Sequence, residues 1–380
     1  MSHRLSFALA PLLVLTTLTA CGKDEDPDEE DGGEEVEEVE EVGVAVLGAG
    51  THDPDSVSIR VIADEDDGDL NEPLDLAFNP RAMDQLWVVN YGSSATTVIL
   101  DPDTDDQTAE RFRSTGSTHF FAKPAAIAFS DFGNWGSAQD TDDLTQGTAT
   151  PADFMGPVLW DDNLDKFDSG HGSHLDMLHN SPLGGGMAWD YDNVYWYFDG
   201  YHESITRYDF ASDHGYGGAD HSDHETLRYA EGSVQRIEGV PSHMELDRDS
   251  GLLYIADTAN NRIAILDTTS GEVGSSIRPN YDGGIQREVE DAELWTLVDG
   301  PSLSEVSLEM PAGLAIHDDL IFVGDYSSGY ILAFDFDGEL VDWLDTGRGA
   351  EAIGGIDFDA DGNLWFTDIA TSEILKISVD

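Results

Sequence analysis

An all-β fold, a six-bladed β-propeller, is predicted by two observations. A phrase recurs six times along the chain, and an unpaired strand stands before the first copy. The phrase is a Pro, a short apolar run, a turn, an alternating strand ending in Asp, a polar loop and another strand. Its clearest copy starts at Val240-Pro241, passes Leu252-Leu253-Tyr254-Ile255-Ala256-Asp257, and ends in Ile263-Ala264-Ile265-Leu266-Asp267. Units of this size hide their apolar faces by stacking on one another.

The strand-ending residues align as Asn90, Asp140, Asp199, Asp257, Asp325 and Asp368. Pro73, Pro124 and Pro311 open other copies, and Ala352 takes that place in the sixth. Runs such as Leu86-Trp87-Val88-Val89 and Val194-Tyr195-Trp196-Tyr197 are aromatic and β-branched, as strands require. Six four-stranded blades around a channel follow. The chain ends in Ile374–Ser378, the third strand of the last blade. Residues 57–62 would supply the fourth, closing the ring and removing an exposed edge.

Three domains are expected: a signal peptide at 1–20, a tether at 21–55 and the propeller at 56–380. Leu5 to Ala20 is apolar but short for a membrane span, and Arg4 supplies the basic start. Leu18-Thr19-Ala20-Cys21 resembles the bacterial lipoprotein signal, which implies lipidation of Cys21 and a membrane contact through that lipid alone. Gly22 after the cysteine favours the outer membrane. Cys21 is the only cysteine, so no disulfide is available. Residues 22–42 carry 13 Asp or Glu against one Lys and read as a solvated tether.

The formal charge is −61, of which −50 belongs to residues 43–380. Nucleic-acid binding is excluded as a class, because phosphate neutralisation needs clustered Lys and Arg. Neither a phosphate-cradling glycine loop nor a nucleophile elbow is present. Asp357–Asp368 fits calcium-loop spacing, but the same residues are the first strand, turn and second strand of the sixth blade.

Strand alternation puts blade-to-blade connections and loops after second strands on one face. His119, His179, His202 and His243 fall there, with the insertion 141–156 and the connection 279–310. Histidines from different blades can hold a metal with open positions. A second cluster, His214, His221 and His224 with Asp213, Asp220 and Asp223, lies in a loop assigned to the opposite face. Zinc or calcium are the ions considered. Residues 154–160 read either as a lid or as a blade strand, and His171 and His174 follow them.

The segments 240–267, 311–335 and 352–378 resemble NHL repeats, which implies the propeller but no particular activity. Asp199-Gly200-Tyr201-His202 is similar to a loop of peptidyl-α-hydroxyglycine α-amidating lyase, an NHL-type enzyme. That resemblance implies Tyr201 as base, Arg262 as a site residue and zinc on channel histidines. The Pro-His pairs of that family are absent: Pro73-Leu74, Pro124-Ala125 and Pro311-Ala312 stand instead, and His243 comes one residue late. The expectation is an envelope binding or scaffold module for a protein, peptide or glycan. A metal-dependent lyase or hydrolase is the alternative.

Overall fold

The computed structural model describes residues 43–112, 118–142, 155–167 and 174–379. Strand β1 (Ser58–Ala63) precedes the first blade, formed by β2 (Pro73–Asn79), β3 (Ala82–Asn90), β4 (Ala95–Leu100) and β5 (Thr108–Phe112). The second blade is β6 (Pro124–Phe129), β7 (Asn134–Gln139), β8 (Met155–Asp161) and β9 (His174–His179). Residues 155–160 are therefore blade strand rather than lid, while most of the insertion 141–156 and His171 lie outside the described residues.

The third blade begins with β10 (Gly184–Trp189), β11 (Val194–Asp199), β12 (Ser204–Asp209) and β13 (Glu225–Tyr229). The fourth has β14 (Met244–Asp247), β15 (Leu252–Asp257) and β16 (Arg262–Asp267). A hairpin, β17 (Glu272–Ser276) and β18 (Ile285–Glu290), interrupts it before its outer strand β19 (Leu294–Asp299). The fifth comprises β20 (Pro311–His317), β21 (Leu320–Asp325), β22 (Tyr330–Phe334) and β23 (Leu340–Asp345). The sixth has β24 (Ile353–Phe358), β25 (Leu364–Asp368) and β26 (Glu373–Ser378).

One departure from six equal blades appears. β18 pairs in parallel with β13, so the third sheet has six strands. The expected long connection 279–310 thus contains that added strand and the fourth blade's own outer strand. Its pairing covers an edge that would otherwise be open. The ring closes as expected, by β1 pairing antiparallel with β26 from Ser58↔Ser378 to Ala63↔Ile374.

Ordered chain starts earlier than the expected end of the tether at residue 55. Val46 and Leu47 are buried against the fifth and sixth blades, and Asp342 accepts hydrogen bonds from Val44 and Gly50 N–H. His52 stacks on Trp343 at 4.2 Å. Two apolar residues with a buried carboxylate anchor suffice to fix a segment that composition alone assigns to solvent.

Burial runs between blades. Trp87 and Val98 of the first blade share one apolar cluster with Trp135 and Trp160 of the second. Trp196 and Ile205 of the third share another with Leu253 and Ile255 of the fourth. This is the stacking the repeat demands. The strand-ending carboxylates serve it: Asp257 binds Gln235 N–H, Asp325 binds Met310 N–H and Asp199 binds His202 N–H. Each satisfies loop donors that burial would leave unpaired.

The inner strands β2, β6, β10, β14, β20 and β24 touch in that order and close on β2. Their approach requires glycine. A Cβ on Gly186 would lie 2.0 Å from the Ser242 carbonyl oxygen, and one on Gly355 would lie 2.8 Å from Asp75 Cα. We expect Gly186→Ala to destabilise the fold by roughly 1–3 kcal/mol, the usual cost of overpacking a core. Urea unfolding followed by tryptophan fluorescence measures it, and an unchanged midpoint would refute this steric reading.

Candidate functional site: an acidic channel and a histidine-rich wall

Alternation along the inner strands sends every second side chain into the channel. A cavity of about 310 Å³ lies there, lined among others by Asp75, Ile127, Met187, His243, Glu245 and Asp357. Pro80, Asp131, Trp189 and Arg248, from the ends of the inner strands and the turns after them, also border it. The cavity thus occupies the half of the channel nearest the turns after the inner strands. The expected site face, chosen for its histidines and long loops, was the other one.

Besides Asp131 and Arg248, four titratable groups share the cavity. Asp75 is buried and accepts Leu76 and Ile127 N–H at 2.8 Å each. Burial raises its pKa against those two bonds. Asp357 accepts Phe78 and Phe358 N–H, yet burial and the neighbouring carboxylates push its pKa to about 7. Glu245 reaches about 8, through burial and then the charges of Asp357 and Asp75, which Arg248 partly offsets. Glu245 is itself exposed, and part of the surface it shows lines the cavity.

His243 is held down to about 4 by burial. Its Nε2 lies 3.2 Å from the Ala125 carbonyl oxygen and 3.5 Å from Asp75 Oδ2. The distance alone would suggest an ion pair. Burial disfavours charge on both partners, so we read a neutral imidazole donating to Ala125 beside a carboxyl of raised pKa. The sequence pointed to His243; Asp75, Glu245 and Asp357 it did not. Their signal was the charged residue inside an inner-strand run, at Leu74-Asp75-Leu76, Met244-Glu245-Leu246 and Ile356-Asp357-Phe358.

The other expected channel residues are tied elsewhere. His202 Nδ1 bonds Asp199 at 2.7 Å, and the neighbouring Tyr201 is exposed. Arg262 Nε donates to Asp257 at 2.7 Å and its NH2 group to the Ser233 carbonyl, so it ties loops together. His119 sits in a short helical turn, with its side chain outside the described residues. His179 leaves the channel set altogether: it is fully buried, with Nδ1 2.6 Å from Asp282.

His179 instead meets the loop that carries the second cluster. That loop folds back along the outer strand of the second blade, His214 N–H donating to the Leu175 carbonyl. The rings of His179 and His221 come within 6.4 Å, and those of His214 and His221 within 5.1 Å. Two groups assigned by strand direction to opposite faces therefore share one wall. His224 stands slightly apart, its Nδ1 2.5 Å from the His221 carbonyl oxygen. Burial raises the pKa of Asp176, which bonds His221 from the same wall.

No protein-family profile matches the chain, and no curated protein matches it by sequence. Among solved structures, auxiliary nutrient binding proteins of two Bacteroides species are similar. The one from Bacteroides ovatus has 13% identity, a TM-score of 0.52, and coverage of 81% of this chain and 69% of that one. The one from Bacteroides thetaiotaomicron has 12% identity, a TM-score of 0.52, and coverage of 80% and 68%. A catalytically inactive virginiamycin B lyase from Staphylococcus aureus with quinupristin has 13% identity, a TM-score of 0.50, and coverage of 85% and 99%. Binding proteins and enzymes alike match at this level. What the chain shares with them is the propeller fold.

Proposed function

We propose that this protein is a lipid-anchored binding module of the cell envelope that takes a basic group of its ligand into the channel. A peptide bearing Lys or Arg is the ligand class favoured. The observation that carries this reading is the grouping of Asp75, Glu245 and Asp357 in one cavity with a single arginine. Three carboxyls placed together in low dielectric resist ionising, and a cation entering between them relieves that cost. The volume suits one long side chain at the lower end of usual pocket sizes. Anchoring rests on Cys21, and the Bacteroides binding proteins of like fold are consistent with a binding role.

The lyase alternative draws no comparable support. It needs three ligands converging on one metal in the channel. Among the described residues, the group of His, Asp or Glu that converges lies in the wall instead.

Calorimetric titration with the tripeptides Gly-Lys-Gly and Gly-Arg-Gly tests the proposal, with Gly-Glu-Gly and maltotriose as controls. A basic tripeptide should bind at pH 8.5, roughly tenfold or more weaker to Glu245→Gln, the scale of losing a charge-assisted bond. Affinity should also fall toward pH 6, where Glu245 and Asp357 are protonated. Binding of maltotriose alone, or of basic peptide indifferent to Glu245→Gln, would sink it.

A further inference from the structure

We propose that Asp176, His214 and His221 bind one divalent transition-metal ion, of the zinc class, that pins the 210–224 loop to the outer strand of the second blade. The site lies apart from the channel lining, and the ligand proposed above does not enter it.

The state of His214 carries the inference. Its Nδ1 lies 2.6 Å from the Gly215 carbonyl oxygen, which can only accept a hydrogen bond. Nδ1 therefore bears the proton, and Nε2 presents a bare lone pair. Among the described residues, Nε2 has no hydrogen-bond partner, and neither does Asp176 Oδ2. The two side chains are only 2% and 1% exposed, so bulk solvent does not reach them. Nε2 stands 3.9 Å from Asp176 Oδ1, beyond hydrogen-bond reach. An imidazole lone pair and a carboxylate facing each other away from bulk solvent repel, and a cation between them relieves that cost.

His221 completes the group, its Nδ1 2.7 Å from the same Asp176 Oδ1. All three donor atoms lie within 4.8 Å of one another. Ligands bonded to zinc at about 2.0–2.1 Å in tetrahedral array stand about 3.3–3.4 Å apart. The observed 2.7 and 3.9 Å straddle that spacing, so small rotations of side chain suffice, with release to solvent of the proton that His221 Nδ1 shares with Asp176. Two imidazoles and one carboxylate suit zinc, whereas calcium and magnesium prefer oxygen alone. The bond from His214 Nδ1 to Gly215 is the outer contact that commonly orients a ligating histidine. Spacing alone could not find this set, since Asp176 is 38 residues from His214 in sequence.

The test uses the full-length chain, stripped with EDTA, dialysed and titrated with zinc chloride by calorimetry. We expect one zinc per chain and a rise in Tm with zinc that calcium does not reproduce. His214→Gln and Asp176→Asn should each weaken zinc binding roughly tenfold or more. Wild-type protein that takes up no zinc overturns the proposal, as does unchanged affinity in both variants. If a variant does not fold, the visible spectrum of cobalt-loaded wild type decides instead. A four-coordinate nitrogen–oxygen spectrum supports the site, and the spectrum of hexaaqua cobalt alone overturns it.

Discussion

Deletion of residues 43–63 is expected to abolish cooperative folding of the propeller. β1 is the outer strand of the sixth blade, and without it β26 loses its partner from Ser58↔Ser378 to Ala63↔Ile374. The same segment buries Val46, Leu47, Val57 and Ile62. At about 1.5–3 kcal/mol per buried aliphatic side chain, these represent roughly 6–12 kcal/mol as an upper estimate. A whole domain is typically stable by about 5–15 kcal/mol. The deletion therefore removes a share comparable to the total, and it exposes a strand edge to aggregation. Urea denaturation against Arg60→Ala, whose side chain is exposed, separates the effect from general tolerance. A deleted chain with a wild-type unfolding midpoint would show that closure by β1 is dispensable.

The double variant Glu245→Gln, Asp357→Asn is expected to be more stable than wild type above pH 8 and indistinguishable from it near pH 4. Both folded pKa values are raised, to about 8 and about 7. As pH rises, the unfolded chain ionises first, so the folded state holds more protons and stability falls. The stability these groups allow is fully present below their unfolded values near pH 4. It is lost as pH climbs through 7 and 8. At about 1.4 kcal/mol per pKa unit, the rise of Asp357 from 3.8 to about 7 would amount to ~4 kcal/mol. Both residues are partly exposed, so solvent screening lowers this, and we discount the figure to about 2 kcal/mol for each residue. Thermal melts at pH 4, 6 and 8.5 give the slope directly. Equal pH dependence in wild type and variant would mean that these carboxyls ionise normally.

Both predictions rest on ring closure, yet they differ in how far the sequence foretells them. The closing strand was legible because alternation and an incomplete last repeat are local facts about order along the chain. So were the strand-ending residues Asn90 to Asp368, whose position repeats wherever the unit repeats. Arg262, which the resemblance placed in a site, instead pairs with Asp257 of its own copy.

The site was much less legible. His179 was assigned to a channel set on the assumption that loops stay on their own face. The 210–224 loop instead folds along the neighbouring blade and brings His214 and His221 to Asp176. The hairpin 272–290 likewise leaves the fourth blade to extend the third. Asp75, Glu245 and Asp357 stand far apart in the chain, and nothing local marks them as a group.

Sequence by itself determined the number of blades, the closing strand and the strand-ending positions, because each repeat states its own backbone and burial needs. Tertiary structure alone decided which titratable side chains share a cavity or a wall. Proximity and desolvation exist only once six inner strands meet and a loop is laid against its neighbour.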